Sequence, residues 1–206
     1  MNVPFLENEV IWRKADEFRA SSDLRGHDEP PIDMLYVMEV ALGFDVIEIP
    51  GMSADLRMDA AIVPRAKTVY VDREAIDGWE RRDRWIERRL RFSIAHELGH
   101  LHLHQEYQDG LQFSDAAHFK RWIREHRQNG RLEEQADEFA GRFLVPPGLL
   151  MEKFDALNRR MNAADSTWQE IEGARTHAAK KIAPRFGVNH QVIETRFARE
   201  DIWPLQ

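Results

Sequence analysis

The sequence predicts an α+β domain that is mainly helical and carries a small antiparallel or mixed sheet. Two observations support this fold class. Apolar residues recur at steps of three and four along most of the chain, which indicates amphipathic helices. Residues 44–71 instead contain short β-rich runs separated by turn residues. An order of helices, strands and then helices is typical of α+β domains.

Composition restricts the class of protein. The chain has 206 residues, of which 43% are hydrophobic and 32% charged, as in globular proteins rather than disordered ones. Cysteine is absent, so disulfides and thiolate metal sites are excluded, and any metal must be held by His and carboxylate groups. The formal net charge of -7 provides no positive field, and direct nucleic-acid binding is not expected.

The sequence also bears on where the protein is expected to act. The N-terminal residues have no basic flank followed by an apolar run, as a secretory signal would. No stretch approaches the ~20 apolar residues that span a bilayer. We therefore expect a cytoplasmic protein that does not associate with membranes.

The N-terminal half predicts two helices and the sheet. An apolar stripe predicts the first helix over residues 7–19. Pro30-Pro31 favours the start of a second helix, and Gly43 favours its end. Three β-rich runs predict strands at residues 44–49, 60–63 and 68–71. The short connection at 64–67 predicts a hairpin between the second and the third of them.

The C-terminal half predicts helices. One apolar stripe predicts a long helix from Trp79 to about His104, and another predicts a helix from Leu132 to Phe143. Within the first stripe, segment 80–91 carries six arginines, which we interpret as a solvated helix face rather than a nucleic-acid patch. Further helices are expected at residues 114–127, 148–161, 166–183 and 190–199.

The motif with the clearest chemistry is His96-Glu97-Leu98-Gly99-His100. Histidines four residues apart lie on one face of a helix, so both can reach one ion at the roughly 2.0–2.1 Å of a zinc–nitrogen bond. In this H-E-x-x-H pattern the glutamate lies beside the attacking water rather than on the metal. Glu97 is therefore the candidate general base.

A catalytic metal site needs a third protein ligand. His102 points to another face of the helix. His104 shares the face, but residues 96, 100 and 104 would form a line about 12 Å long, so we expect a structural role for His104. Glu133 and Asp137 are four apart on the next predicted helix. We assign Glu133 as the third ligand and Asp137 as the hydrogen-bond partner of a ligand histidine.

Small residues support a close approach of these two helices. Ala136, Ala140 and Gly141 lie beside the acidic pair, and Gly99 lies within the motif. A glycine inside a helix costs about 1 kcal/mol relative to alanine, so a packing role is expected for Gly99. The alternative, an ordinary solvated acidic face, is disfavoured by the metal-binding motif upstream.

Together the two segments resemble the ImmA/IrrE metallopeptidase family. The segments are His96 to His104 and Leu132 to Pro146, and the Glu-x-x-x-Asp spacing is also similar to thermolysin-like gluzincins. Pro30 to Phe44 resembles the helix ahead of the family's sheet, and Ala183 to Phe197 resembles its C-terminal segment. The resemblance therefore extends from about residue 30 to about residue 200.

The resemblance implies a zincin-like fold and one Zn²⁺ ion per chain, bound by His96, His100 and Glu133, with Glu97 as the catalytic base. It also implies endopeptidase cleavage of helix-turn-helix repressors that control phage, mobile-element or stress-response genes. Manganese suits the same ligands, so the metal used in the cell stays open.

We expect residues 1–206 to form a single zinc metallopeptidase domain. Residues 1–29 would provide an N-terminal helix and loop, and residues 175–200 a C-terminal helix-turn-helix-like segment. The interval between His100 and Glu133 is long for the family, which predicts an insertion at 106–130.

Two questions stay open at this level. A non-catalytic, metal-stabilised regulatory protein that binds a repressor or antitoxin is the alternative function, although the intact Glu97 argues against it. Several residues are candidates for stabilising an oxyanion, and the sequence does not choose among them. They are His118, His126, His177, His190, Tyr70 and Tyr107.

Overall fold

The structure is a computed structural model that describes residues 5–104, 118, 121 and 130–203. Its described part is a mainly helical α+β domain of zincin-like type, as the sequence predicts. The helices are α1 (Asn8–Arg19), α2 (Met34–Tyr36, continued by a π-helical turn at Val37–Ala41), α3 (Met52–Leu56), α4 (Arg73–Glu80), α5 (Arg84–Leu103), α6 (Gly130–Leu144), α7 (Pro147–Asn162), α8 (Ala174–Phe186) and α9 (His190–Arg199).

The sheet formed by the described residues is mixed. Its strands are β1 (Asp45–Ile49), β2 (Ala60–Val63) and β3 (Thr68–Asp72), in the spatial order β1-β3-β2. The expected hairpin is present, since β2 pairs antiparallel with β3. β1 pairs parallel with β3, so the chain must cross over between them. β2 is left at one edge of the sheet, beside α5.

Two helices begin later than the sequence predicts, because an aspartate caps each of them. Asp83 accepts hydrogen bonds from the backbone N–H groups of Trp85 and Ile86, at 2.9 and 3.2 Å, so α5 begins at Arg84 rather than at Trp79. Asp33 caps α2 in the same way, and α2 begins after it rather than at the two prolines.

The helix predicted at 166–183 is also wrong at its start. A 3-10 turn occupies Trp168–Glu170, and Gly173 follows in the left-handed region with a φ of 79°. Helix α8 therefore begins only at Ala174. Residues 187–189 then connect it to α9.

The close approach of α5 and α6 is set by Gly99. A Cβ atom at this position would lie 2.9 Å from both the Cα and the carbonyl oxygen of Ala136, which is too close for any other residue. Leu90, Ile94 and Leu98 on α5 are fully buried in the same core. This contact brings the end of the His96–His100 motif against the middle of α6.

The arginine-rich segment is not a uniformly solvated face. Arg91 is only 7% exposed, and its guanidinium donates hydrogen bonds to the carbonyl oxygens of Ile32, at 2.8 Å, and Gly187, at 2.7 Å. It thereby links α5 to two loops. The interpretation as a solvated face is wrong for Arg91, because a guanidinium with several donors can satisfy main-chain carbonyls inside the protein.

Two expectations fall largely outside the described residues. They are the helix at 114–127 and the insertion at 106–130, of which the structure describes only positions 118, 121 and 130. Within the described ranges, no helix is long and apolar enough to cross a membrane.

Candidate metal centre

Three side chains from α5 and α6 converge on one point. The Nε2 atoms of His96 and His100 are 3.0 Å apart. Carboxylate oxygens of Glu133 lie 3.3 Å from the first and 3.5 Å from the second. Donors around a tetrahedral zinc ion are separated by about 3.3 Å, given bonds of about 2.0–2.1 Å. Two imidazoles and a carboxylate at this spacing therefore fit the ion that the motif implies.

His96 is oriented by Asp137. Its Nδ1 atom lies 2.8 Å from Oδ1 of Asp137, and an ionised carboxylate can only accept, so Nδ1–H is the donor. In a neutral ring this leaves the Nε2 lone pair directed at Glu133 and His100. Burial lowers the pKa of His96, but hydrogen bonds to Asp137 and Glu133 outweigh burial and raise the pKa to about 10. A metal ion must therefore displace a proton here.

Glu133 is held in its ionised form. The side chains of His100 and His96, which lie beside it, lower the pKa of its carboxyl group well below the ordinary range, against the opposing effect of burial. The group thus offers a negative charge to a cation at any pH near neutrality.

Glu97 lies beside this cluster and is held by the sheet. Its Oε2 atom accepts a hydrogen bond from the backbone N–H of Ile62, in the edge strand β2, at 2.8 Å. The side chain is 6% exposed, and burial raises its pKa above the ordinary value, although His100 and His96 oppose the shift. A carboxylate with a raised pKa is suited to accept a proton near neutral pH.

The two histidines that follow His100, His102 in α5 and His104 at its C-terminal cap, have different surroundings. His104 is buried, and its Nδ1 lies 3.0 Å from Nδ1 of His100 while its Nε2 lies 2.8 Å from Oε1 of Gln135. Burial lowers the pKa of His104 to about 4, so its ring is neutral at pH 7. His102 faces away from the cluster and packs against Phe18, with ring centroids 4.3 Å apart and the ring planes tilted by 43°.

An open cleft leads to the cluster. The edge of β2 and one face of α5 form its walls. An ion pair links the two walls, with Nε of Arg89 on α5 2.7 Å from Oδ2 of Asp59, which directly precedes β2. Beyond His96, Glu97, Glu133 and Asp137, the described residues that line the cleft are Arg57, Met58, Asp59, Ala60, Arg89, Phe92 and Ser93.

The oxyanion candidates are not gathered at this cleft. The described residues that line it do not include Tyr70, His177 or His190. His118 is exposed at an isolated described position, and His126 and Tyr107 lie outside the described residues.

Sequence reasoning missed Gln135 and the main chain of Ile62. Gln135 is adjacent to the acidic pair, and the spacing of four between His100 and His104 was the available signal that those rings can meet. No local pattern identifies Ile62, because its contact with Glu97 depends on how β2 packs on α5.

The comparisons of this chain with known proteins identify a protein family but no individual related protein. Neither a curated protein nor a solved structure matches the chain. The family model Peptidase_M78, described as the IrrE N-terminal-like domain, matches residues 86–198. This range includes most of α5, all of α6 and the candidate site residues His96, Glu97, His100, Glu133 and Asp137. The match covers more than half of the 206 residues. The chain therefore belongs to the Peptidase_M78 family, whose IrrE N-terminal-like domain is of metallopeptidase type.

Proposed function

We propose that this protein is a zinc-dependent endopeptidase with His96, His100 and Glu133 as metal ligands. The observation that carries the proposal is the convergence of these three donors, at 3.0–3.5 Å from one another, beside the buried carboxylate of Glu97. A site that only stabilises the fold has no need of a base at that position. A fourth position facing the cleft would be open to water and substrate.

A zinc ion at these ligands would lower the pKa of water to about 7 and polarise the substrate carbonyl. Glu97 accepts the proton of the attacking water through its carboxylate, which Ile62 holds in place. The same carboxyl group then gives the proton to the leaving amine. Asp137 keeps the Nδ1 proton of His96 directed away from the ligand position.

The cleft suits an extended polypeptide. Ile62 directs its N–H toward Glu97 rather than toward β3, so by the two-residue period of a strand the main chain of Ala60 also faces outward. Ala60 lines the cleft. We propose that the substrate adds to this edge of β2 by main-chain hydrogen bonds, with its scissile bond next to Glu97.

A DNA-binding repressor of the helix-turn-helix type is the proposed substrate, cut in a flexible linker or an exposed strand. Support for this choice comes from the resemblance to the ImmA/IrrE family. A peptidase requires a segment that can become extended in the cleft, and linkers provide one.

We also propose that residues 1–206 act as a single metallopeptidase domain, including the N-terminal helix and loop at 1–29 and the C-terminal helices of 175–200. Support comes from buried contacts between distant segments. Trp12 in α1 donates a hydrogen bond to Glu138 in α6 at 2.5 Å, and Arg196 in α9 contacts the same carboxylate. The assignment of 106–130 as an insertion rests on the sequence interval alone.

The function is tested with the zinc-loaded protein and a purified helix-turn-helix repressor whose gene lies beside its own. Wild type should cut the repressor at one site, identified by mass spectrometry. Glu97→Gln should bind zinc and repressor but lose cleavage by at least about 100-fold, since general base catalysis contributes that much. A Glu97→Gln variant with wild-type cleavage would contradict the proposal. Repressor binding without cleavage by wild type would favour the alternative of a non-catalytic regulatory protein.

A further inference from the structure

A chain of hydrogen bonds leads from the metal cluster into the core between α5 and α6. It runs from Nδ1 of His100 to Nδ1 of His104, at 3.0 Å, and from Nε2 of His104 to the side-chain oxygen of Gln135, at 2.8 Å. His104 is 2% exposed and Gln135 is 5% exposed. Solvent therefore has little access to these groups.

The directions of these hydrogen bonds follow from the groups at each end. An amide oxygen only accepts, so Nε2 of His104 must carry a proton. In a neutral imidazole the other nitrogen then has a lone pair, and Nδ1 of His104 accepts. Nδ1 of His100 is consequently the donor, and the Nε2 atom of His100 keeps its lone pair toward Glu133 and His96.

The opposite directions would disable the site. If the amide nitrogen of Gln135 faced His104, that nitrogen would donate to Nε2, and Nδ1–H of His104 would donate to His100. The proton of a neutral His100 would then lie on Nε2, between the other two ligands, and no lone pair would face a metal ion. Of the two orientations, only the observed one is compatible with metal binding.

We propose that His104 and Gln135 are positioning residues that hold His100 in the tautomer protonated at Nδ1, so that its Nε2 atom is ready to bind zinc. This inference rests on the proposed function, because it takes His100 as a metal ligand. It assigns to two uncharged residues the role that the carboxylate of Asp137 performs for His96. The two ligand histidines are thus oriented by different means, one by a half-exposed charge and one by a buried neutral chain.

The test uses substitutions that either keep or remove the acceptor at position 104. His104→Asn places an amide oxygen close to the position of Nδ1 and can still accept from His100. His104→Phe keeps a ring of similar size but has no acceptor. His102→Phe is the matched control, since it makes the same change two residues earlier, at a histidine that packs against Phe18.

The first readout is the zinc dissociation constant of the full chain, measured by competition with a chelator. His104→Phe should weaken zinc binding by about 10–100-fold, the usual effect of losing a group that orients a ligand. His104→Asn should retain most of the affinity, and His102→Phe should match wild type. If His104→Phe does not fold, the pair Gln135→Leu, which removes the acceptor, and Gln135→Glu, which keeps it, provides the same comparison.

The second readout is the tautomer of His100 in the metal-free protein, from the ¹⁵N chemical shifts of the ring. Wild type and His104→Asn should be protonated at Nδ1, and His104→Phe should populate the form protonated at Nε2. Wild-type zinc affinity in His104→Phe, or equal losses in His104→Phe and His104→Asn, would overturn the inference.

His96→Ala separates this inference from the function on which it rests. If His96→Ala abolishes zinc binding while His104→Phe leaves it unchanged, only the role of His104 and Gln135 is wrong. If His96→Ala also leaves zinc binding unchanged, the metal centre itself is wrong.

Discussion

The backbone N–H of Ile62 donates a hydrogen bond to the carboxylate of Glu97 across 2.8 Å, from the edge of the sheet to the helix that carries the candidate metal ligands His96 and His100. This contact joins the strand proposed to receive the substrate with the group proposed to activate water. It fixes one oxygen of Glu97 and leaves the other for proton transfer. The position of the base is therefore determined by the packing of β2 on α5.

Glu97→Asp tests how closely this position must be kept. The shorter carboxylate cannot both reach Ile62 and contact the attacking water, and a displacement of about 1 Å can lower a rate by about 100-fold. We expect a loss of that order in the rate of repressor cleavage, with the zinc content unchanged. Glu97→Gln gives the lower limit of activity. Wild-type activity in Glu97→Asp would show that the contact with Ile62 does not position the base.

Gly99→Ala should separate the two helices that carry the ligands. The new methyl group would lie 2.9 Å from the main chain of Ala136, so α6 and Glu133 must move. Overpacking of this kind costs about 1–3 kcal/mol, and we expect both a lower free energy of unfolding and weaker zinc binding.

Gly148→Ala is the control, because a Cβ atom there meets nothing within 4 Å and helix α7 should be unchanged or slightly more stable. Urea denaturation and chelator competition measure the two effects. Unchanged zinc affinity in Gly99→Ala would contradict the account of how the site is assembled.

A buried ionic cluster joins α6 to α9. Arg196 is 1% exposed and its Nη1 atom contacts Glu138 at 2.5 Å, while Arg199 contacts the same carboxylate at 3.0 Å. Arg196→Met should lower the free energy of unfolding by about 3–5 kcal/mol, because it removes the more deeply buried of the two cations that pair with the carboxylate of Glu138.

Arg185→Met is the matched control for that substitution. Arg185 pairs with Glu29 at the surface, where the two side chains are 40% and 83% exposed, and a loss within about 1 kcal/mol is expected. Both variants are compared with wild type by urea unfolding. The comparison is valid if the free energy of unfolding depends on urea concentration with the same slope in all three proteins. Equal losses in the two variants would show that burial does not strengthen the Arg196 contact.

His102 should make the protein less stable in acid. Burial lowers its pKa from 6.5 to about 4 in the folded protein. Between these values the unfolded chain binds more protons than the folded one, so stability present above pH 6.5 is lost as the pH falls toward 4. Between about pH 7 and about pH 4.5, the titration of His102 should lower the free energy of unfolding by about 2 kcal/mol.

The contribution of His102 is measured as a difference. Metal-free wild type and His102→Phe are unfolded in urea at both pH values, so that other titrating groups cancel. The variant should lose less stability on acidification. Equal pH dependence in the two proteins would show that His102 does not titrate as its burial implies.

Helical spacing explains why much of the site was predictable from the sequence. A separation of four places His96 with His100, and Glu133 with Asp137, on single helix faces whatever the fold. The meeting of the two pairs required a close contact, for which Gly99 and Ala136 were the local evidence. By contrast, the pairing of β1 with β3, the contact of Gln135 with His104 and the burial of Arg91 and Arg196 depend on the packing of distant segments. No local pattern in the sequence distinguishes Arg91, Gln135 and Arg196 from ordinary surface positions.

The boundaries of helices were less predictable than their existence. The apolar stripe of α5 begins at Ile86, and Trp79 extends the same period into α4. The break between them is made by the side chain of Asp83, whose capping hydrogen bonds compete with helix continuation. The pattern of apolar positions does not show this break, because Asp83 is one of many charged residues in this part of the sequence.

The zinc contents of purified wild type, Glu133→Ala and Glu134→Ala decide whether Glu133 is the third ligand of the proposed metal centre. The two glutamates are neighbours in α6, but Glu133 faces the histidines and Glu134 is exposed. We predict about one zinc ion per chain in wild type and in Glu134→Ala, and a loss of zinc in Glu133→Ala. Wild type without zinc after zinc is added, or Glu133→Ala with a full complement, would contradict the proposed metal centre.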